Sequence, residues 1–103
     1  MTFSVVARCP RTGQLGVAVA TAVPAVGAMC PFVRASVGAV STQSWVNPYL
    51  ALDALGLMRE GMAGPDALAQ VVAGDAGREL RQVGVVDAQG RSAAWSGKAC
   101  TDW

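Results

Sequence analysis

Apolar and polar residues alternate from Thr2 to Arg8, with Thr2, Ser4, Val6 and Arg8 on one face and Phe3, Val5 and Ala7 on the other. That is the period of a half-buried strand. Leu15 to Thr21 repeats the pattern and sets Leu15, Val17 and Val19 opposite Gly16, Ala18 and Ala20. Between the two runs, Pro10-Arg11-Thr12-Gly13 has turn chemistry: proline fixes its φ early and glycine accepts a positive φ late. The pair predicts an antiparallel hairpin that begins at the second residue. One face of its second strand carries only small residues, which lets another layer or a substrate backbone come close.

Ala22 to Phe32 reads as irregular. Val33 to Gln43 returns to β-type composition, as one bent strand or as a second hairpin around Ser36 to Gly38. Asn47-Pro48 predicts a helix start, since asparagine caps free amide groups and proline is tolerated at the first helical position. Ala51, Leu55, Met58 and Met62 then recur at helical spacing, with Asp53, Arg59 and Glu60 on the wet side. The methionine pair reads as core packing. Pro65-Asp66 opens a second, shorter helix with Leu68, Val71 and Val72 inward, ending at Gly74. Arg78-Glu79 reads as a local ion pair of small worth. Gln82 to Asp87 is a strand, Ala88-Gln89-Gly90 its turn and Arg91 to Ser96 the returning strand. Strands, a helix pair and strands again do not follow the βαβ rhythm of a parallel sheet. They predict an α+β arrangement in which the helix pair covers one face of a mainly antiparallel sheet.

Length and composition narrow the picture. A chain of 103 residues holds one domain. With 52% apolar and 15% charged residues it carries more apolar surface than so small a core buries, so some of that surface is meant to be covered. The net charge of +1, without a basic run, offers no footprint for nucleic acid. Leu15 to Val33 is weakly charged, but Gly16, Pro24, Gly27 and Pro31 break it too often for a membrane span. Met1 leads into Thr2-Phe3-Ser4 without a basic segment or an apolar core, so no secretory signal is read and a cytoplasmic location is expected. Cys9, Cys30 and Cys100 form no CxxC pair and read as reduced thiols. The absence of histidine excludes a Ser-His-Asp triad and an imidazole metal site within the chain. Gly13-Gln14-Leu15-Gly16 lacks the following helix of a phosphate cradle, so neither metal nor cofactor is expected.

Chemistry must therefore use another base, and Thr2 supplies one. A small residue after the initiator favours removal of Met1, leaving Thr2 with a free α-amine beside its hydroxyl. A neutral α-amine, with a reference pKa of about 7.7–8.0, is a usable general base at neutral pH. One residue then offers nucleophile and base together. Thr2 is equally the kind of small residue that follows Met1 in proteins without such chemistry. Arg34 is the only formal charge between Arg11 and Asp53 and sits among Pro31, Phe32, Val33 and Ala35. Beside the Thr2 amine it would lower the amine's pKa and bind a substrate carboxylate; at a strand edge it would simply keep its head in water. Ser41-Thr42-Gln43-Ser44 precedes the Asn47 cap, where a strand entering a helix leaves backbone N–H groups of the type an oxyanion hole uses, or plain capping groups. Ser4 shares a strand face with Thr2 and is placed to orient the amine or to act as a filler hydroxyl.

Several blocks in this order resemble a bacterial family, the domain-of-unknown-function 1028 family. They are Thr2-Phe3-Ser4-Val5-Val6-Ala7-Arg8, Thr12-Gly13-Gln14-Leu15-Gly16-Val17-Ala18-Val19-Ala20, Val37-Gly38-Ala39-Val40-Ser41-Thr42-Gln43, Gly77-Arg78-Glu79-Leu80-Arg81-Gln82-Val83-Gly84-Val85-Val86-Asp87 and Gly97-Lys98-Ala99-Cys100. The resemblance implies the N-terminal-nucleophile hydrolase type: a four-layer αββα sandwich, a nucleophile on the first strand and amide-bond hydrolysis. It puts the nucleophile on Thr2 and the basic neighbour on Arg34, where the proteasome-like branch prefers lysine. A small amide or peptide is the implied substrate, with Ser44, Thr42 and Gln43 as oxyanion or substrate-binding residues. The alternative is a structural or assembly protein that keeps the fold without the reaction. The family continues past the Lys98-Ala99-Cys100 block, so residues 1–103 are expected to be a single partial domain. A truncated gene product, a processed subunit and a fragment all fit. Either a missing C-terminal segment or a homo-oligomer would cover the apolar surplus.

Overall fold

Turn residues cut the chain into six strands and two helices in the computed structural model, which describes residues 1–100. In chain order they are β1 (Thr2–Arg8), β2 (Leu15–Thr21), β3 (Pro31–Arg34), β4 (Gly38–Ser44), α1 (Pro48–Arg59), α2 (Gly64–Ala73), β5 (Arg81–Asp87) and β6 (Ser92–Ser96). β1 and β2 form an antiparallel ribbon, and β3-β4-β5-β6 form a second antiparallel sheet in that order. The α+β reading with a helix pair between strand groups holds. Among the described residues no helix is long and apolar enough to cross a membrane.

The first hairpin closes as its turn chemistry demands. Cys9 N–H donates to Gln14 O at 2.8 Å and Gly13 turns with φ 76°. The segment Val33 to Gln43 resolves into the hairpin option, with Ser36 at φ 62° and Val37 N–H donating to Arg34 O at 3.1 Å. β3 begins at Pro31, two residues earlier than composition indicates, because Pro31 and Phe32 pair with Ser41 and Val40. Proline is tolerated there as the first residue of an edge strand.

Strand pleating sorts the sheet's side chains between two neighbours. Val40, Val83 and Val85 join a core with Leu50, Ala51, Ala54, Leu55 and Met58 of α1 and Ala67, Leu68 and Val72 of α2. Met62 and Val71 pack against its margin. A methyl group at Gly38 would lie 2.8 Å from the backbone Val86 O and 2.9 Å from Met58 Cε, so glycine fits where β4 and β5 approach beneath α1. The opposite face presents Ala39, Ser41, Gln43 and Gly84 to the β1–β2 ribbon, whose Val6 lies over Gly84. The layers run helices, four-stranded sheet, two-stranded ribbon.

Both helices start as read, but by different means. Asn47 Oδ1 accepts from Tyr49 N–H at 3.2 Å, with proline in the first turn. α2 has no side-chain cap of its own. Its Gly64 N–H donates at 2.8 Å to Asp87 Oδ2, from the far end of β5. Asp87 is 2% exposed and also accepts from Gln89 N–H and Arg91 N–H, each at 3.0 Å, and from Arg91 Nε at 2.7 Å. The Arg78-Glu79 pair does not form among the described residues. Arg78 reaches Asp75 O, Glu79 accepts from Lys98 N–H, and the ion pairs are Arg81–Asp75 and Arg91–Asp87. Adjacent residues of a 3-10 turn point in different directions, which separates Arg78 from Glu79.

Burial pushes the Asp87 carboxyl up, but the N–H groups of Gly64 and Arg91, the Arg91 guanidinium and Gln89 N–H outweigh it and hold the pKa below the ordinary value. Asp87→Ala is expected to cost about 3 kcal/mol in urea unfolding at neutral pH, since it orphans a buried helix N–H and the turn donors. A carboxyl whose folded pKa is depressed stabilises above its unfolded value, and that contribution disappears as pH falls through the folded value. The gap between wild type and Asp87→Ala should therefore narrow below about pH 4.

Candidate functional site

Thr2 opens β1 and pairs with Thr21, the last residue of β2. Their hydroxyl oxygens are 2.9 Å apart. Thr21 Oγ1 donates to Met1 O at 3.2 Å and accepts from Val23 N–H at 3.3 Å, which leaves the Thr2 hydroxyl to donate to Thr21. Thr2 O accepts at 3.2 Å from Nε2 of Gln43, a β4 side chain buried beneath it, and the same amide reaches Gln82 Oε1 on β5. Gln82 Nε2 donates onward to Ser96 Oγ on β6 at 3.0 Å. A polar ladder thus crosses the sheet and ends on the backbone of Thr2. It fixes both the hydroxyl and the carbonyl of one residue at the start of β1.

The other residues singled out by sequence distribute around this point. Ser4 lies one pleat further on the same face, exposed, in a cleft of about 400 Å³ whose floor includes Ser41, Gly84 and Ala94. No hydrogen bond links it to Thr2 among the described residues. Ser41 is 1% exposed and its hydroxyl has no hydrogen-bond partner there. Ser41, Thr42 and Gln43 are strand residues, within the β-type run read from Val33 to Gln43, and they lie inside the sheet and not at the opening of the helix. Thr42 belongs to the pleat of Val40 and points toward the helices, away from Thr2, so it is not part of this site.

Ser44 ends β4 at φ 72°, a left-handed conformation costly for any residue but glycine. Two positions earlier Thr42 N–H donates to Cys30 O, so the Ser44 N–H points the same way, past the end of β3. Trp45 N–H is committed to Leu80 O at 3.2 Å. Arg81, paired with Ser44 across the strands, donates to Trp45 O at 2.7 Å and to Asp75 at 2.9 Å. That guanidinium holds the Asp75 carboxyl below its usual range.

Arg34 does not join Thr2. It ends β3, is exposed, and pairs with Gly38, whereas Thr2 rests on Gln43, five residues along β4. At strand spacing that is about 17 Å. The physical reason is direction: β3 runs away from the Thr2 end, so its last residue sits by the first hairpin's turn, where Val33 and Ser36 face Arg8 and Leu15. Arg34 keeps its head in water, and the cation at the Thr2 end of the sheet is Arg81. Thr21 and Gln82 are the partners that reading the sequence missed. Thr21 was accessible in principle, because the Cys9–Gln14 closure fixes the register that pairs 2 with 21. Gln82 depends on long-range pairing of β4 with β5, for which no local signal exists.

This geometry lies within a chain that belongs to a family of unknown function, DUF1028, whose model matches residues 2–103. Among curated proteins none matches it. The chain is similar to the crystal structure of a DUF1028 protein from Silicibacter pomeroyi, at 31% identity and a TM-score of 0.93 over 98% of this chain. The match takes in 47% of that protein, so the chain spans about half of its relative's length.

Gln43→Leu tests the ladder. It removes the donor to Thr2 O and orphans Gln82 Oε1, and is expected to cost about 1–3 kcal/mol in urea unfolding despite the added apolar area. Gln82→Leu in the same background should cost less than it does alone, because the two amides are coupled.

Proposed function

We propose that this member of the DUF1028 family carries the nucleophile of an amide-bond hydrolase, with Thr2 as the attacking residue once Met1 is removed. The observation that supports it is the fixing of Thr2 on both sides, by Thr21 at its hydroxyl and by Gln43 at its carbonyl, at the start of β1. Pre-positioning of this kind is what nucleophilic catalysis needs from a scaffold.

Removal of Met1 takes away the carbonyl to which Thr21 donates and leaves an α-amine in its place. The Thr2 hydroxyl then adds to the amide carbonyl carbon while its proton passes to the neutral α-amine. The tetrahedral intermediate bears its negative charge on the former carbonyl oxygen, for which we assign the Ser44 N–H as donor. Collapse breaks the C–N bond as the ammonium returns the proton to the leaving nitrogen. Water, deprotonated by the same amine, then adds to the ester and releases the acid and free Thr2. Thr21 holds the hydroxyl in place throughout and Arg34 has no part. A small amide or peptide is the substrate class of this reading. A cytoplasmic setting, in which the three free cysteines stay reduced, accords with it.

The test is the intact mass of the purified protein before and after a β-lactone probe. The expected result is loss of one methionine residue and a single adduct that is absent from Thr2→Ala. Labelling should quicken as pH rises through about 7.7–8.0, the reference range of an α-amine, because only the unprotonated form takes the proton. Retained Met1 with no adduct would favour the alternative, a structural or assembly protein that keeps the fold.

A further inference from the structure

The Gln43 side chain is only half satisfied. It is 7% exposed, and its Nε2 makes both of its bonds in the ladder, to Thr2 O at 3.2 Å and to Gln82 Oε1. Its Oε1 is buried and has no donor among the described residues. Buried amide oxygens are nearly always paired, because a bare one costs its full desolvation. The hydroxyls and amide around it are engaged elsewhere: Thr2 with Thr21, Thr21 with Met1 O, and Gln82 Nε2 with Ser96 Oγ.

Backbone direction supplies the missing donor. In an antiparallel ribbon, hydrogen-bonded and non-bonded pairs alternate. Cys9 N–H donates to Gln14 O, so the bonded pairs run on through Ala7 and Gly16, Val5 and Ala18, and Phe3 and Ala20. Thr2 and Thr21 are then a non-bonded pair, and the N and O of Thr2 both point away from β2. That is the side on which Thr2 O meets Gln43 Nε2, so the Thr2 nitrogen lies beside the same amide. While Met1 is attached, this nitrogen carries one N–H locked in a peptide plane, and Gln43 Oε1 stays bare. Once Met1 is gone, it carries an amine whose protons turn about the N–Cα bond.

We infer that Gln43 Oε1 is the hydrogen-bond acceptor of the freed Thr2 α-amine, which makes Gln43 a positioning residue that holds Thr2 at its carbonyl through Nε2 and at its amine through Oε1. The inference rests on the reading in which Met1 is removed, and not on hydrolysis itself. An amine free to turn averts its lone pair from the hydroxyl for part of the time. One N–H held on Gln43 stops that rotation.

A carbonyl acceptor also favours the ammonium over the amine, so Gln43 raises the pKa of the Thr2 amine relative to a chain without it. Among the described residues, the side chains that meet Thr2 and its ladder from β2, β4, β5 and β6 are Thr21, Gln43, Gln82 and Ser96, all uncharged. The charged pair at this end, Arg81–Asp75, stands on the pleat of Val83 and Val85, which faces the helices.

The test releases the chain from an N-terminal fusion with Thr2 as its first residue, and prepares the Met1 form beside it. NMR then follows the Gln43 side-chain carbonyl carbon and the α-amine nitrogen as pH rises. The expected result is that the Gln43 carbon moves with the midpoint of the amine in the Thr2-first chain and stays still in the Met1 form. Gln43→Leu should lower the amine midpoint by about 0.5 pH unit or more, and Gln43→Glu, which keeps an acceptor and adds a charge, should raise it. A Gln43 carbon indifferent to the titration would overturn the inference without any variant having to fold. So would one midpoint shared by wild type, Gln43→Leu and Gln43→Glu. The β-lactone probe separates the two readings. An adduct whose pH dependence ignores Gln43→Glu would sink the inference alone, whereas a Gln43 carbon coupled to the amine with no adduct would count against the hydrolase reading alone.

Discussion

Every side chain of β4 from Gly38 to Gln43 is buried, and alternate ones face different layers. Val40 and Thr42 meet the helix pair, whereas Ala39, Ser41 and Gln43 meet the ribbon. Because the pleat has a period of two, a one-residue slip would exchange these sets, turning Gln43 toward the helices and Val40 toward the ribbon. The register with β5 prevents it by matching kind with kind: Val40 stands opposite Val85, Gln43 opposite Gln82 and Ser41 opposite Gly84. Position of the candidate nucleophile, depth of the helix core and width of the cleft all follow from that one alignment.

The two sides of the sheet are finished differently. On the helix side, large aliphatic side chains interdigitate and glycine at 38 lets Met58 in. Asp87 then ties the start of α2 to the β5–β6 turn, so the layer is closed by a buried charge with each of its oxygens in use. On the ribbon side small, aliphatic and amide-bearing residues mix: Val6 lies over Gly84, and the Gln43 amide reaches Thr2 O. A polar contact of this kind contributes little net stability but is expensive to leave unmade. The helix side therefore carries the fold, and the ribbon side carries geometry.

Much of this was legible from local chemistry. The Cys9 to Gln14 turn, the Asn47-Pro48 start and the Asp87 to Gly90 turn are each set by residues within one or two positions of the event. The elements they bound came out where the pattern put them. What failed was long-range. The isolation of Arg34 between Arg11 and Asp53 is a property of the sequence line, and it says nothing about which end of the sheet the arginine reaches. Ser41 to Gln43 fall in a β-type run and read as a strand end entering a helix; only pairing with β5 shows them to lie inside the sheet. The capping of α2 by Asp87, 23 residues away, was invisible for the same reason.

Placing glutamine and serine in the interior of a sandwich, where valine would bury more apolar area, is a local choice against stability. Conflicts of this type concentrate at functional sites, since elsewhere nothing offsets them. Here they are not scattered. Gln43, Gln82 and Ser96 form one connected line that ends on the backbone of Thr2, and the left-handed Ser44 adjoins the same end of β4. Meanwhile the opposite end of the sheet, where Arg34 stands in water, is ordinary turn structure. The asymmetry between the two ends of a single sheet is the physical reason for looking at Thr2, because the connected line of amide side chains ends on that residue.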